Sequence, residues 1–385
     1  MINRFGLRGK SLPVAIVAIV LQLSAVSAYS QSSARDVLPV LEGLDPVMLV
    51  QGKEVQGELK ISVTRGKFQY LFANAENKAS FEKDPARYEI QLEGSCARMG
   101  APVGGNPDLY TVHQGRIYIF GSEECKKRFD AAPQNYLETS NEAAAKPAVT
   151  PEALGKAKAL IEKAVAAMGG ASRIDDLISY QEKSTTAQTR RQGEVEVKSS
   201  LTIVFPDRIR FEQVMPDWND PSKVRQMAMV ISAGEAFGIM SGVARQLPDS
   251  ARIGQEKEVN RRLLSILRAR KSLNPTAIGS GKIGETPVEQ VAIEVDHASY
   301  TLGIDPATGR ILSSSSWRRG PEGNFGQFIQ TFSDFRTVDG LNLPFKITGT
   351  FNNQPWKEQS PTIETIAVNQ KIDPSLFEKP KVKTE

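Results

Sequence analysis

Two hydrophobic periodicities alternate along this chain. In "KFQYLF" (Lys67 to Phe72) and "RIYIF" (Arg116 to Phe120), apolar residues fall at alternating or successive positions. That predicts short, largely buried strands. Each is followed by a more polar stretch, "NAENKASFEKD" or "GSEECKKRFDA", which reads as a short helix. Asn74 and Ser122 are the expected caps. Pro85 and Pro133 end or follow the helices. The two passages are copies of one unit. Phe72, Phe81, Pro85 and Tyr88 are spaced by 9, 4 and 3, as are Phe120, Phe129, Pro133 and Tyr136, at an offset of 48 that also matches Tyr70 to Tyr118. One unit of this size buries little apolar surface, so the copies are expected to share a small core.

The pattern changes after Leu137. "ETSNEAAAKPAVT" is small, polar and broken by proline, and reads as a linker over 138–150. A helix then begins with Thr150 as cap and Pro151 in the first turn. Its apolar stripe is Leu154, Ala157, Ile161, Val165 and Met168, and Gly169 and Gly170 end it. Strands with one wet face follow, as in "SLTIVF", "RIRF", "VAIEV", "YTLGI" and "FKITGTF". "DPATG" (Asp305 to Gly309) is a hairpin turn. About ten strands are expected, forming a meandering antiparallel sheet over 151–380. So wide a sheet must curl and have its apolar face covered. The second covering helix is "EKEVNRRLLSILRARK", with Val259, Leu263, Ile266 and Leu267 turned inward. Its arginines at 261, 262, 268 and 270 read as a solvated face.

Charge and composition narrow the function. Residues 1–28 have the form of a secretory signal peptide: Arg4, Arg8 and Lys10, an apolar run from Leu12 to Leu23, then "SAVSAYSQ". The run is too short to span a bilayer, and no cysteine stands at the cleavage point for lipid attachment. The expectation is a periplasmic or secreted protein with no transmembrane segment in its mature chain. Without the three leader cations the chain holds 45 basic and 44 acidic residues. Such a balance argues against nucleic acid as a partner.

Catalytic patterns are absent. "GIMSG" has its serine one place late for a nucleophile elbow, and "GSGK" lacks the rest of a phosphate loop. Asp296 and His297 are neighbours on a strand, so they face opposite ways. No catalytic residue is assigned.

The cysteines, Cys96 and Cys125, both lie in the second copy. A disulfide, a soft-metal site and two unrelated thiols are all open readings. An oxidising compartment makes the disulfide the default. As metal ligands Cys96 and Cys125 would be joined by Met99 or His113, a set suited to Cu(I) and thin for structural zinc. A weaker reading makes Cys125 the nucleophile of a thiol-dependent enzyme.

Two resemblances follow from these residues. The repeat over 43–137 resembles the YHS domain, in copies of about 43–90 and 96–137. "GLDPV" opens the first, and "CARMGAPV" with "IYIFGSEECKKRF" frames the second. The resemblance implies a metal-associated module. This chain departs from the family in holding Gly121 and Ser122 where further cysteines often stand, and Asn77 where the first copy would place a thiol. The half from 151 to 380 resembles the periplasmic outer-membrane lipoprotein carrier superfamily, on "FPDRIRFE", "IDPATGRIL", "FSDFRTVDGLNLPFKI" and "VNQKIDPSLFEKP". That resemblance implies an incomplete antiparallel β-barrel with helices against its concave face, and a lipid or acyl ligand. The fold class expected is therefore α+β.

Overall fold

The computed structural model describes residues 39–100, 103–137, 149–190, 193–217, 220, 222–247, 249–295 and 298–380. The signal peptide, residues 138–148 of the linker, and the Asp296–His297 pair lie outside the described residues.

The first copy comprises helix α1 (Pro46–Leu49), strands β1 (Glu58–Arg65) and β2 (Phe68–Phe72), and helices α2 (Ala75–Lys83) and α3 (Pro85–Tyr88). The second comprises β3 (Asn106–His113), β4 (Arg116–Phe120) and α4 (Glu123–Ala131). In each, an antiparallel hairpin feeds a nine-residue helix. Asn74 and Ser122 cap these helices by accepting from the amides of Asn77 and Cys125. The copies do share a core, since Ile117 and Ile119 of the second pack with Phe72 and Phe81 of the first.

The repeat extends further upstream than the aromatic spacing reaches. Leu41–Gly43 and Leu92–Gly94 are both "LEG" 3-10 turns, with Glu42 and Glu93 at φ 55° and 52°. Aligned on these turns, Asp45 stands where Cys96 stands. Asp45 is fully buried. Its carboxylate accepts from the amides of Val47, Met48 and Ala73 and, at 2.7 Å, from Asn77 Nδ2. Asp45→Ala should therefore lower stability by about 2 kcal/mol or more, because several buried donors lose their acceptor. Chemical denaturation of the variant checks this.

The second half opens with α5 (Pro151–Met168) and α6 (Ala171–Asp175). Thr150 caps α5 by accepting from Ala153, and Gly169 ends it at φ 131°. Two meanders follow. The first is β5 (Ser179–Arg190), β6 (Gly193–Val204), β7 (Arg208–Pro216), β8 (Val224–Ser232), β9 (Glu235–Met240) and β10 (Val243–Gln246). After α7 (Asp249–Asn260) and α8 (Leu263–Arg268) comes the second: β11 (Thr276–Ile283), β12 (Thr286–Val295), β13 (Ala298–Ile304), β14 (Ile311–Arg319), β15 (Phe325–Val338) and β16 (Leu341–Phe351). The two-residue β17 (Gln354–Pro355) pairs with β16, and β18 (Thr362–Val368) closes the series.

All of these strands join one antiparallel sheet of fourteen, rather than about ten. The expected count was low because polar strands such as β5 lack the apolar alternation that marks a strand in sequence. β18 links the meanders, lying between β5 and β16. The outer strands β10 and β11 do not pair with each other, so the sheet curves without closing into a barrel. Its concave face receives Ala157, Ile161, Val165 and Met168 of α5 and Leu263, Leu264, Ile266 and Leu267 of α8. The amphipathic stripes predicted this seating, because the concave face offers an apolar partner to both helices.

The arginine-bearing segment departs from its expected form. It is two helices, broken where Arg262 takes an extended backbone at φ −66°, ψ 141°. Its arginines are not a solvated face. Arg270 is 8 % exposed and grips Asp175 with both terminal nitrogens, at 2.6 and 2.9 Å. Arg268 donates to the carbonyls of Ile174, Asp175 and Leu177, closing the end of α6. Buried carbonyls and a carboxylate supplied partners that helical periodicity cannot reveal.

Candidate functional site

A cavity of about 710 Å³ lies between the sheet and the α7–α8 segment. Its apolar wall comes from Leu201, Ile203, Phe211, Met227, Met229 and Phe332, inward positions of β6, β7, β8 and β15. The first half of the chain also reaches it. Met99 and Val103, from the segment after Cys96, stand on its lining beside Arg319 and Phe325.

Arg319 holds the two halves of the chain together there. One terminal nitrogen donates to the carbonyls of Arg98 and Gly323 at 2.6 Å each, and the other to that of Tyr136 at 3.0 Å. Gly323 sits at φ 85°, and any side chain there would collide with the Arg98 carbonyl.

A half-buried charge network crosses the cavity wall, with Tyr180 and Glu182 its most buried members. Tyr180 donates to Glu182 at 2.5 Å, and Glu182 pairs with Arg262. Nearby, Glu258 accepts from Arg261 at 2.6 Å and from Arg318 at 3.1 Å, while Arg261 also reaches the Tyr300 hydroxyl at 2.7 Å. Burial, reinforced by Glu182, raises the Tyr180 phenol far above its ordinary range. Burial alone would raise Glu258 as well, but Arg318 and Arg261 outweigh it and hold that carboxyl below its usual range. Sequence reading missed Arg261, Arg262 and Glu182 as lining groups. The available signal was the polar inward face of β5, which no fully apolar core would carry.

The second site is the cysteine pair. Cys96 and Cys125 are free, buried and packed into one small cluster with Met99, Phe120 and Phe129. Cys96 sits in a turn fixed by Cys96 N–H to Val103 O and Ala97 N–H to Ile119 O, at 2.6 and 2.8 Å. Cys125 lies in the first turn of α4, with its amide on the Ser122 hydroxyl. The Cys96 thiol, Ser122 and Arg98 bring Cys125 down to about 5, although burial opposes them. Cys96 is driven the other way, first by Cys125 and then by burial. The reduced protein should thus show one thiolate forming near pH 5 in ultraviolet absorbance, while Cys96 stays protonated through pH 9. Because Cys125 is depressed, stability of the reduced form should rise from about pH 5 towards the ordinary thiol value near pH 9, and be lost as pH falls through 5. A stability that is flat across that window would contradict the assignment.

His113, the expected extra ligand, packs edge-on against Phe129 at 6.1 Å between centroids. Among the described residues no three His, Cys, Asp or Glu side chains converge on one point. Met99 is near, but Arg98 donates to its sulfur at 3.1 Å and to Cys125 Sγ at 3.8 Å, placing a cation against the donors. The first copy makes the same tie with Asp45 and Asn77. No three-ligand set for zinc is assembled among the described residues, and Arg98 occupies the Met99 and Cys125 sulfurs.

No protein-family model and no curated protein matches the chain. Solved structures show likeness at low identity. A domain described as an outer membrane lipoprotein-sorting protein, from Vibrio parahaemolyticus, is 9 % identical over 59 % of this chain and 97 % of its own, with a TM-score of 0.38. A DUF1329 family protein from Desulfovibrio piger is 10 % identical over 58 % of this chain and 97 % of its own, with a TM-score of 0.40. A LolA superfamily protein from Nitrosomonas europaea is 12 % identical over 58 % and 97 %, with a TM-score of 0.38. Among the described residues no helix is long and apolar enough to cross a membrane.

Proposed function

We propose that this protein is an exported binding protein of the cell envelope, periplasmic or secreted, that holds a hydrophobic, lipid-like ligand inside its curved sheet. The observation that carries this reading is the cavity: about 710 Å³, walled by Leu, Ile, Met and Phe, and large enough for an acyl chain. The YHS-like repeat serves as a structural accessory that supplies Met99 and Val103 to the cavity's edge. Within it, Cys96 and Cys125 act as a tie between the turn and the helix. They form a disulfide where the compartment is oxidising.

Trp317 and Trp356 both line the cavity and report on its contents. Oleate should change their fluorescence with saturation below about 100 µM, near −5 to −6 kcal/mol of binding free energy. Native mass spectrometry should show one acyl compound retained per chain. No fluorescence response and no retained mass with any acyl probe would refute the reading.

A further inference from the structure

The wall of this cavity is not uniformly apolar: apart from its charged residues it carries an uncharged polar strip. The inward positions of β5 are Glu182, Ser184, Thr186 and Gln188, all at most 9 % exposed. Their neighbours continue the polar strip. Ser199 on β6 accepts a bond from Gln213 Nε2 on β7 at 3.3 Å, and Gln255 of α7 also lines the cavity. Gln213 and Gln255 are 7 % and 5 % exposed, and the side-chain oxygen of each has no hydrogen-bond partner. A buried acceptor left unmet is costly. Two on the lining of one cavity, beside a strip of hydroxyls, call for a ligand that brings donors. An acyl chain alone brings none, and neither does an ester.

We propose that the strip of Ser184, Thr186, Ser199, Gln213 and Gln255 binds a hydroxyl-bearing headgroup, so that the ligand is an acyl lipid with a polyol head lodged inside the cavity. Neither amide oxygen is accessible as it stands, so each amide turns toward the cavity to accept from the head's O–H groups, and the serine and threonine hydroxyls accept or donate as needed. The acyl portion lies against Leu201, Ile203, Met229 and Phe332. A glycerol head and a sugar head share this chemistry. The inference rests on the lipid-binding reading above and adds the class of head.

The test compares lipids that differ in donors alone. Monooleoylglycerol and a dodecyl glycoside present hydroxyls; methyl oleate has the chain and none. Affinities are read from tryptophan fluorescence and checked by native mass spectrometry. Monooleoylglycerol should bind at least ten-fold more tightly than methyl oleate. The glycoside separates the sources: preference for it over monooleoylglycerol selects a sugar head, and the reverse a glycerol head. Gln255→Met and Gln213→Met, near-isosteric changes, should each shrink the ratio between the hydroxylated and the methyl lipid by about five- to ten-fold. Thermal melting of each variant verifies that it is folded. If Gln213→Met does not fold, Gln255→Met and Thr186→Val still read the same ratio. Equal binding of both lipids, or a ratio unmoved by the substitutions, overturns the proposal and leaves water as the occupant of the strip. Failure of every lipid, methyl oleate included, would instead remove the underlying lipid-binding reading.

Discussion

Glu182→Leu should destabilise the protein by about 2–3 kcal/mol, because the buried carboxylate is lost and the part-exposed Arg262 guanidinium is left unpaired. Glu182 is 6 % exposed and is the carboxylate partner of Arg262, which also stacks over the Tyr180 ring at 5.6 Å. The substitution leaves Arg262 without its counter-charge and the Tyr180 hydroxyl without its 2.5 Å acceptor. In a sheet domain of this size the melting temperature should fall by roughly 10 °C. Glu182→Leu combined with Arg262→Met should cost less than Glu182→Leu alone, since a buried ion pair exchanged for packed apolar groups is often near neutral. A double-mutant cycle reads the coupling. Additive losses, or a loss under about 1 kcal/mol for the single change, would show that the network does not hold the cavity wall.

Oxidation of the cysteine pair should produce the second large effect. With Cys96 and Cys125 already packed in one buried cluster, a bond between them should need little backbone movement. It would close a loop of about thirty residues and stabilise by about 3–4 kcal/mol in the chain-entropy account. Protein isolated from an oxidising compartment should therefore contain no titratable thiol until reduced. Reductant should lower its stability by that amount, while Cys125→Ser should abolish the response to reductant. Two titratable thiols in the freshly isolated protein, with a melting point indifferent to reductant, would rule the bridge out. The energy belongs to the small two-copy region, whose core around Phe120 and Phe129 is modest.

How much of this was legible differs from segment to segment. The caps at Asn74, Ser122 and Thr150 were readable because a cap is a local rule about one side chain and an amide three residues on. The pairing of the two copies was readable from aromatic spacing, and the turn at Asp305, whose carboxylate takes the Ala307 amide, from the turn residues "DPATG". Strand number was not, because β5 shows the sheet's wet chemistry on its buried side. Least legible were the arginines. At 261, 262, 268 and 270 they look like an ordinary solvated stripe, yet their partners lie tens of residues away in sequence, at Glu182, Tyr300, Ile174 and Asp175.

The sequence by itself determined the elements that obey short-range rules: the duplicated hairpin–helix unit, the capped helix at Pro151, the antiparallel meander and the concentration of both thiols in the second copy. Tertiary structure alone decided what the concave face encloses. Whether a buried polar group is a cost or a site depends on which long-range neighbour meets it, and curvature of the fourteen-stranded sheet sets those meetings. It placed Glu182 against Arg262, left the side-chain oxygens of the lining residues Gln213 and Gln255 without hydrogen-bond partners, and brought Met99 from the first half of the chain to the cavity's edge.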